Sequence, residues 1–215
     1  MILVQHAVAP FFTNGFVLGC EETREGVLID PGDNVEDLLA AVWQHALAIK
    51  YILLTHAHLD HISGVGHAKT ALGIPVALHR DDLFLYNAAP QQGLMFGLRV
   101  PQPPPVDLFY DTSVSLRFGK YEVRVRHTPG HCPGGVCLAA GVAGEQKPEL
   151  FVGDTLFAGS IGRTDLPGGD LNILLDSIRN VLFRYPDDTV VYPGHGQRTT
   201  IGQERRTNPF LVSPV

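Results

Sequence analysis

The chain has 215 residues, of which 45% are hydrophobic and 18% charged, and its formal net charge is −6. This composition is typical of a globular protein rather than a disordered one, and the negative charge argues against a surface that binds nucleic acid. No apolar run reaches the roughly 18 residues of a membrane span, so we expect no membrane partner. The N-terminus lacks a basic leader, and the three cysteines form no CxxC pair. We therefore expect a cytoplasmic protein.

The first third of the chain predicts alternating strands and helices. Residues 1–30 contain the apolar runs GFVLGC and GVLID, which are typical of short strands. Residues 34–48 show helical spacing, and Asn34 is the expected N-cap. The buried face of this helix is expected to consist of Leu38, Leu39, Val42 and Leu47. The strand YILLT, the helix GVGHAKTALG and the strand IPVALH follow, an order typical of layered α/β domains.

Residues 87–109 are rich in proline and show no clear period, which predicts a long loop or a short helix with a proline-rich exit. Within this segment Leu94, Met95 and Phe96 could form an apolar wall over a site, or could pack on a sheet. The runs SVSLRF, YEVRVRHT, GVCLAA and ELFVGD then predict strands, residues 170–184 a helix, and TVVYPGHG a last strand. Both halves contain strands and helices without a linker, so we expect one domain over residues 1–215.

Four side chains that commonly bind metals are crowded into the stretch LLTHAHLDHISG, residues 53–64. They are His56, His58, Asp60 and His61. Because the chain leaves the strand YILLT in extended form, we expect His56 and His58 to point the same way. Asp60 and His61 follow where the chain bends into the next helix and form a second half-site. Each half-site has too few ligands for a closed metal site.

Three further residues of suitable type follow other predicted strands. His131 in HTPGHCPGG and His195 in YPGHGQ lie in glycine-rich turns, and Asp154 in FVGDTLF ends an apolar strand. A single residue of this kind is more often bonded to the backbone of its own turn. Three of them beside the first cluster favour a metal site, because strand ends are where rigid sheets present functional groups.

The motifs THAHLDH, TPGH, GDTLF and PGHG, in this order, resemble those of the metallo-β-lactamase fold. This similarity starts near the N-terminus, at LIDPGD. Two further motifs, GRTDLPGGD (162–170) and ERRTNPF (204–210), resemble those of the short, single-domain type II glyoxalases, the hydroxyacylglutathione hydrolases. The resemblance implies an α+β fold, a four-layer αββα sandwich with two divalent metal ions at one edge of its sheets. It assigns the first ion to His56, His58 and His131, the second to Asp60, His61 and His195, and both to Asp154.

Such a centre implies hydrolysis of a small-molecule thioester, S-lactoylglutathione or a related hydroxyacylglutathione. A water shared by two ions has a lowered pKa, so a bridging hydroxide can exist at neutral pH and attack the carbonyl. Asp60 is the candidate catalytic residue, which would orient this hydroxide or carry its proton. Zinc is the expected metal, with iron and manganese as alternatives. We expect Cys132 to fill a tight turn rather than to act as a nucleophile.

Substrate recognition has weaker signals. Larger type II glyoxalases carry a basic residue near the position of Arg163 that helps to hold glutathione, which makes Arg163 the candidate substrate-binding residue. Pairing of Arg163 with Asp165 is an equal alternative. The chain lacks the C-terminal helical domain of those enzymes and continues as GQRTT after His195, so recognition of glutathione stays open. A monomer is expected.

Three other functions remain open on the same residues. A mononuclear iron persulfide dioxygenase would use two of the first three histidines with Asp154, and such enzymes share GRTD, although PGGD favours the hydrolase. Hydrolysis of a lactone or β-lactam is disfavoured by the terminal motifs. A non-catalytic metal-binding protein would need closed coordination.

Overall fold

The computed structural model of the protein describes residues 1–33, 35–110 and 115–212. The first sheet consists of β1 (Ile2–Val8), β2 (Thr13–Gly19), β3 (Glu25–Ile29), β4 (Ala48–Leu53), β5 (Val76–Leu78) and β6 (Leu108–Phe109). These six strands are hydrogen-bonded in sequence order. β1, β2 and β3 pair antiparallel, and β3 to β6 pair parallel.

The second half of the chain supplies the other strands. They are β7 (Ser115–Phe118), β8 (Tyr121–His127), β9 (Val136–Val142), β10 (Glu149–Gly153), β11 (Leu156–Phe157), β12 (Ser160–Ile161), β13 (Val190–Pro193) and β14 (Thr199–Thr200). The second sheet has the order β14-β13-β10-β9-β8-β7, and β11 and β12 form a separate hairpin. β10 and β13 run parallel, so their carboxyl ends lie at the same edge.

The helices are α1 (Val35–Gln44), α2 (Leu59–Ile62), α3 (Val65–Leu72), α4 (Leu83–Asn87), α5 (Ala89–Met95), α6 (Leu171–Asn180) and α7 (Ile201–Thr207). Short 3-10 turns occupy Arg80–Asp82 and Leu182–Arg184. In the part of the chain that the structure describes, none of the helices combines the length and the apolarity that crossing a bilayer requires.

Neighbouring residues of the central strands enter different hydrophobic cores, because side chains alternate between the faces of a sheet. In β2, Val17 packs in a core with residues of α1 and α3, whereas Phe16 and Leu18 pack in a core shared by both sheets. In β10, Phe151 belongs to the shared core, and Leu150 packs in a third core with residues of α6 and α7. Helices therefore cover the outer face of each sheet, and the predicted αββα sandwich is confirmed.

Two predicted elements differ in extent. The helix predicted over residues 34–48 ends at Gln44, because Ala46 adopts a left-handed φ of 50° that starts the turn into β4. Its expected apolar face is buried as predicted, and Asn34 lies outside the described residues. The segment 87–109 contains α5 followed by an irregular, proline-containing stretch, which is the second of its two predicted forms.

The two sheets are joined by hydrogen bonds at the edge where the candidate residues lie. The Asn14 amide donates to the Gly194 carbonyl (2.7 Å), and the Val136 amide donates to the Thr55 carbonyl (2.9 Å). These bonds fix β2 against the turn that follows β13, and the loop that follows β4 against the first residue of β9.

Candidate metal centre

Three buried histidines from separate parts of the chain form the first ligand group. His56 follows β4, His58 immediately precedes α2, and His131 lies in the turn between β8 and β9. Their ligand nitrogens lie within 4.8 Å of one another, and Nδ1 of His58 is 2.8 Å from Nε2 of His131. Burial, followed by the neighbouring His131, lowers the pKa of His58 to about 3. Neutral imidazoles at this spacing offer lone pairs to a common point, as a metal ion requires.

Asp60, His61 and His195 form the second group. Nε2 of His195 lies 3.1 Å from Oδ2 of Asp60, and Nε2 of His61 lies 3.4 Å from the same oxygen. Burial lowers the pKa of His61, but the carboxylates of Asp60 and Asp154 outweigh burial and hold this pKa well above its usual range. Burial raises the pKa of Asp60, but His61 and hydrogen bonds from His195 and Thr13 outweigh it and lower that pKa. This group therefore stabilises positive charge, which a proton or a metal cation can supply.

Asp154 lies between the two groups. Its Oδ1 is 3.4 Å from Nε2 of His61, and its Oδ2 is 3.7 Å from Nε2 of His131 and 3.5 Å from Nε2 of His195. One carboxylate thus reaches a histidine of the first group and two of the second. Gly194, in the motif PGHG, is required beside it, because a Cβ at this position would overlap Oδ1 of Asp154.

Buried polar atoms without hydrogen-bond partners are concentrated in this cluster. Among the described residues, the buried side-chain atoms that lack such a partner are Nε2 of His56, His58 and His61, Oγ of Ser63 and Oδ1 of Asp154. All but the serine belong to the predicted ligands. Because an unpaired buried polar group is costly, such a concentration in one place indicates a site built for cations. The donor set is compatible with two divalent ions.

The ligands are held in orientation by bonds on their outer sides. Nδ1 of His61 lies 3.0 Å from Oδ2 of Asp30, and Nδ1 of His131 lies 2.7 Å from the backbone carbonyl oxygen of Arg163. When Nδ1 donates to these oxygens, Nε2 keeps its lone pair for the centre. Thr13 donates to Oδ2 of Asp60 at 2.7 Å. Asp30 was not predicted as a site residue, although it ends the apolar strand β3 just as Asp154 ends β10.

Asp82 joins the loop of the first two histidines to the turn that carries His131. Its carboxylate accepts the Ala57 amide at 2.9 Å, the Gly134 amide at 2.6 Å and the Cys132 thiol at 3.1 Å. Burial and the neighbouring Asp82 raise the pKa of the Cys132 thiol well above its usual range. A thiol in this environment is a poor nucleophile. The sequence around Asp82 contained no signal for this role, because its partners are distant in the chain.

The ligands open onto a cavity of about 230 Å³, whose wall includes His58, Asp60, Asp154 and His195. Arg163 also lines this cavity. Its guanidinium donates twice to Asp165, at 2.7 Å each, and both side chains are exposed. The structure therefore places Arg163 both at the cavity and in the ion pair that was its alternative role. Of the three apolar residues of the predicted wall, Phe96 lines this cavity, whereas Leu94 and Met95 do not.

Comparisons with known proteins agree with this fold. The family model of the Metallo-beta-lactamase superfamily matches residues 8–195. Hydroxyacylglutathione hydrolase GloC of Haemophilus influenzae is 37% identical over 195 residues, which cover 90% of each chain.

Two solved structures are similar over nearly their whole length. The B3 metallo-beta-lactamase BLEG-1 has a TM-score of 0.88 at 39% identity, covering 99% of this chain and 100% of its own. TTHA1623, solved in a di-iron-bound form, has a TM-score of 0.84 at 42% identity, covering 98% and 100%. The fold, the ordered motifs and these matches together show that the chain belongs to the metallo-beta-lactamase superfamily.

Proposed function

We propose that the protein is a dinuclear metal-dependent hydrolase of thioesters, with S-lactoylglutathione or a related hydroxyacylglutathione as substrate. The observation that carries this proposal is the presence of two three-residue ligand groups with Asp154 in contact with histidines of both, at the wall of an open cavity. The side chains of Asp60, Asp154 and His195 are 17%, 12% and 31% exposed, so water and substrate can reach the centre. A site that only stores metal would enclose its ligands.

The residues of the cavity suit attack by water rather than by a protein nucleophile. Among its described lining residues there is no Ser, Cys or Lys. Divalent ions held by the two groups would supply an acidified water and polarise a carbonyl oxygen. We assign to Asp60, whose carboxylate accepts a hydrogen bond from the Thr13 hydroxyl, the role of orienting this water or carrying its proton. A thiolate leaves without protonation, because thiols have low pKa values, and this favours a thioester over an amide.

The similarity to GloC supports the glutathione thioester. Arg163 is the cationic side chain at the cavity wall, and it is exposed enough to exchange Asp165 for a carboxylate of the substrate. Zinc is the proposed metal, since histidine and carboxylate ligands suit it; the di-iron form of TTHA1623 keeps iron as the alternative. A mononuclear iron dioxygenase would need only two histidines of the first group with Asp154, so the complete second group supports the hydrolase.

Metal content and two assays on one preparation test the proposal. We expect two metal ions per chain and release of free thiol from S-lactoylglutathione. A content of one iron per chain, together with consumption of oxygen when glutathione persulfide is the substrate, would overturn the proposal.

A pair of histidine variants tests the site itself. His58→Ala should abolish thiol release and leave the circular dichroism spectrum unchanged. His67→Ala is the matched control, because His67 is a half-exposed histidine paired with Glu36 away from the ligand groups. Full activity of the His58 variant would refute the site assignment.

A further inference from the structure

A second cavity of about 310 Å³ adjoins the metal-bearing one, and its wall is almost entirely apolar. Its apolar lining includes Phe84, Leu85, Ala88, Met95, Leu166 and Pro167. His58, Gln92, Phe96 and Leu166 belong to the walls of both cavities. A molecule held at the ligand groups can therefore extend one arm into the apolar cavity.

The wall contains three polar residues and offers no charged partner to a ligand: Gln91 is an exposed, uncharged amide, and Gln92 and His58 are engaged elsewhere. The side chain of Gln92 is occupied, because its Oε1 accepts the Leu59 amide at 2.9 Å and its Nε2 donates to the carbonyls of Ala57 (3.1 Å) and Leu85 (2.8 Å). His58 is part of the first ligand group. Among the described residues that line the cavity there is no Asp, Glu, Lys or Arg. The carboxylates of a glutathione moiety would thus be desolvated there without a cationic partner, which is unfavourable.

The two cavities therefore suit the two ends of a thioester differently. The charged thiol moiety fits the metal-bearing cavity, where Arg163 lies, and the acyl group fits the apolar cavity. An apolar protein cavity of about 150 Å³ binds benzene, and the cavity here is about twice as large. A lactoyl group, with its hydroxyl and single methyl, would leave most of this space unfilled.

We infer that the cavity between α4, α5 and residues 166–167 is an acyl-binding subsite, which selects thioesters with an apolar acyl group larger than lactoyl. The inference rests on the proposed thioester hydrolysis and narrows its substrate class. Gln92 has a positioning role in it, because its amide bonds tie α5, one wall of the subsite, to the backbone at Ala57 and Leu59 beside the first ligand group.

A homologous series with a constant thiol moiety tests the inference by activity. S-acetyl-, S-butanoyl- and S-hexanoylglutathione should show kcat/KM values that rise about fourfold per added methylene, until the cavity is full. The kcat/KM of S-lactoylglutathione should be close to that of S-acetylglutathione.

A binding measurement that needs no turnover separates this inference from the proposed function. The thioethers S-methyl- and S-hexylglutathione cannot be hydrolysed, and calorimetry should give the hexyl compound a Kd lower by about tenfold or more. Equal Kd values together with a flat ester series would overturn the subsite and leave the hydrolase standing. Tighter binding of S-hexylglutathione without turnover of any ester would overturn the hydrolase and keep the subsite.

Variants of the wall residues test whether the dependence on acyl chain length arises in this cavity. Ala88→Phe fills it, and Met95→Asp puts a charge on its wall at a residue that is 75% exposed and therefore tolerant of substitution. Both should flatten the dependence of Kd and kcat/KM on chain length. Leu94→Asp is the matched control, since Leu94 is exposed on the same helix but does not line the cavity. The assignment would be contradicted if Kd and kcat/KM of Met95→Asp still depended on acyl chain length as in the parent protein, or if Leu94→Asp lost this dependence to the same extent.

Discussion

Replacing Asp30 by asparagine exchanges one carboxylate oxygen, a hydrogen-bond acceptor beside His61, for an amide NH2 group, which is a donor. The Asp30 carboxylate accepts the Thr55 amide at 2.7 Å and the Thr55 hydroxyl at 2.5 Å, and its Oδ2 lies 3.0 Å from Nδ1 of His61. The new side chain can keep the amide bond through its carbonyl oxygen, and the hydroxyl can rotate to accept. His61 has no such freedom. Its Nδ1 must become an acceptor, which moves the proton to Nε2, the atom that faces Asp60 and Asp154.

The size of the effect follows from this change of tautomer. A second ion can bind only if Nε2 of His61 loses its proton again and the introduced side-chain amide gives up its bond. Loss of a partner that orients a metal-binding histidine weakens metal affinity about 10- to 100-fold, which corresponds to about 1.4 to 2.7 kcal/mol. The Asp30 carboxylate contacts His61 directly but reaches His56 only through the Thr55 hydroxyl, which lies 3.1 Å from Nδ1 of His56. Affinity for the first ion should therefore change less than affinity for the second.

Competition with a chromophoric chelator measures the two binding steps separately. We expect Asp30→Asn to raise the Kd of the second step and to reduce turnover in proportion to the lost occupancy. Asp33→Asn is the matched control, because Asp33 is an exposed carboxylate three residues further along the chain. If Asp30→Asn binds two ions with the affinity of the parent protein, Asp30 does not fix the tautomer of His61.

Three further outcomes are expected. Gly194→Ala should lower metal content by about one ion per chain, as its Cβ would displace the carboxylate of Asp154; elemental analysis showing two ions would contradict this. In steady-state kinetics with S-lactoylglutathione, Arg163→Ala should raise KM and Asp165→Ala should lower it, both with little change in kcat, and unchanged KM values would remove Arg163 from substrate binding. Cys132→Ser should keep most of its turnover, whereas loss of an acyl-enzyme burst present in the parent protein would restore a covalent role for this thiol.

Several contacts that build the centre could be predicted because they are local. His56 and His58 are two residues apart after a strand, so extended geometry alone brings their side chains to one side. The strands themselves were predictable where apolar residues alternate or run together, as in β2 and β10, because burial on both faces of a sheet leaves a periodic or continuous apolar pattern.

The end of α1 and the helix α5 were less predictable. The helical pattern continues through Leu47, which is buried although the helix ends at Gln44. A buried residue in the turn has the same hydrophobic signature as one in the helix, so periodicity alone cannot place the boundary. In α5, Pro90 suits the first turn of a helix, but the following polar and glycine residues give no clear period.

The residue types of the centre, their order and the proximity of neighbours within one turn follow from the linear chain, and the family resemblance also predicted that His131, 73 positions from His58, would join it. Only the folded structure shows the supporting contacts between other distant groups: Asp30 supports His61 across 31 positions, and Asp82 reaches Gly134 across 52. Contacts over such separations depend on the packing of two sheets, which no local pattern specifies. The apolar cavity beside the centre likewise depends on tertiary packing and could not be predicted from a local pattern, because its wall forms only when α4 and α5 pack near residues 166–167.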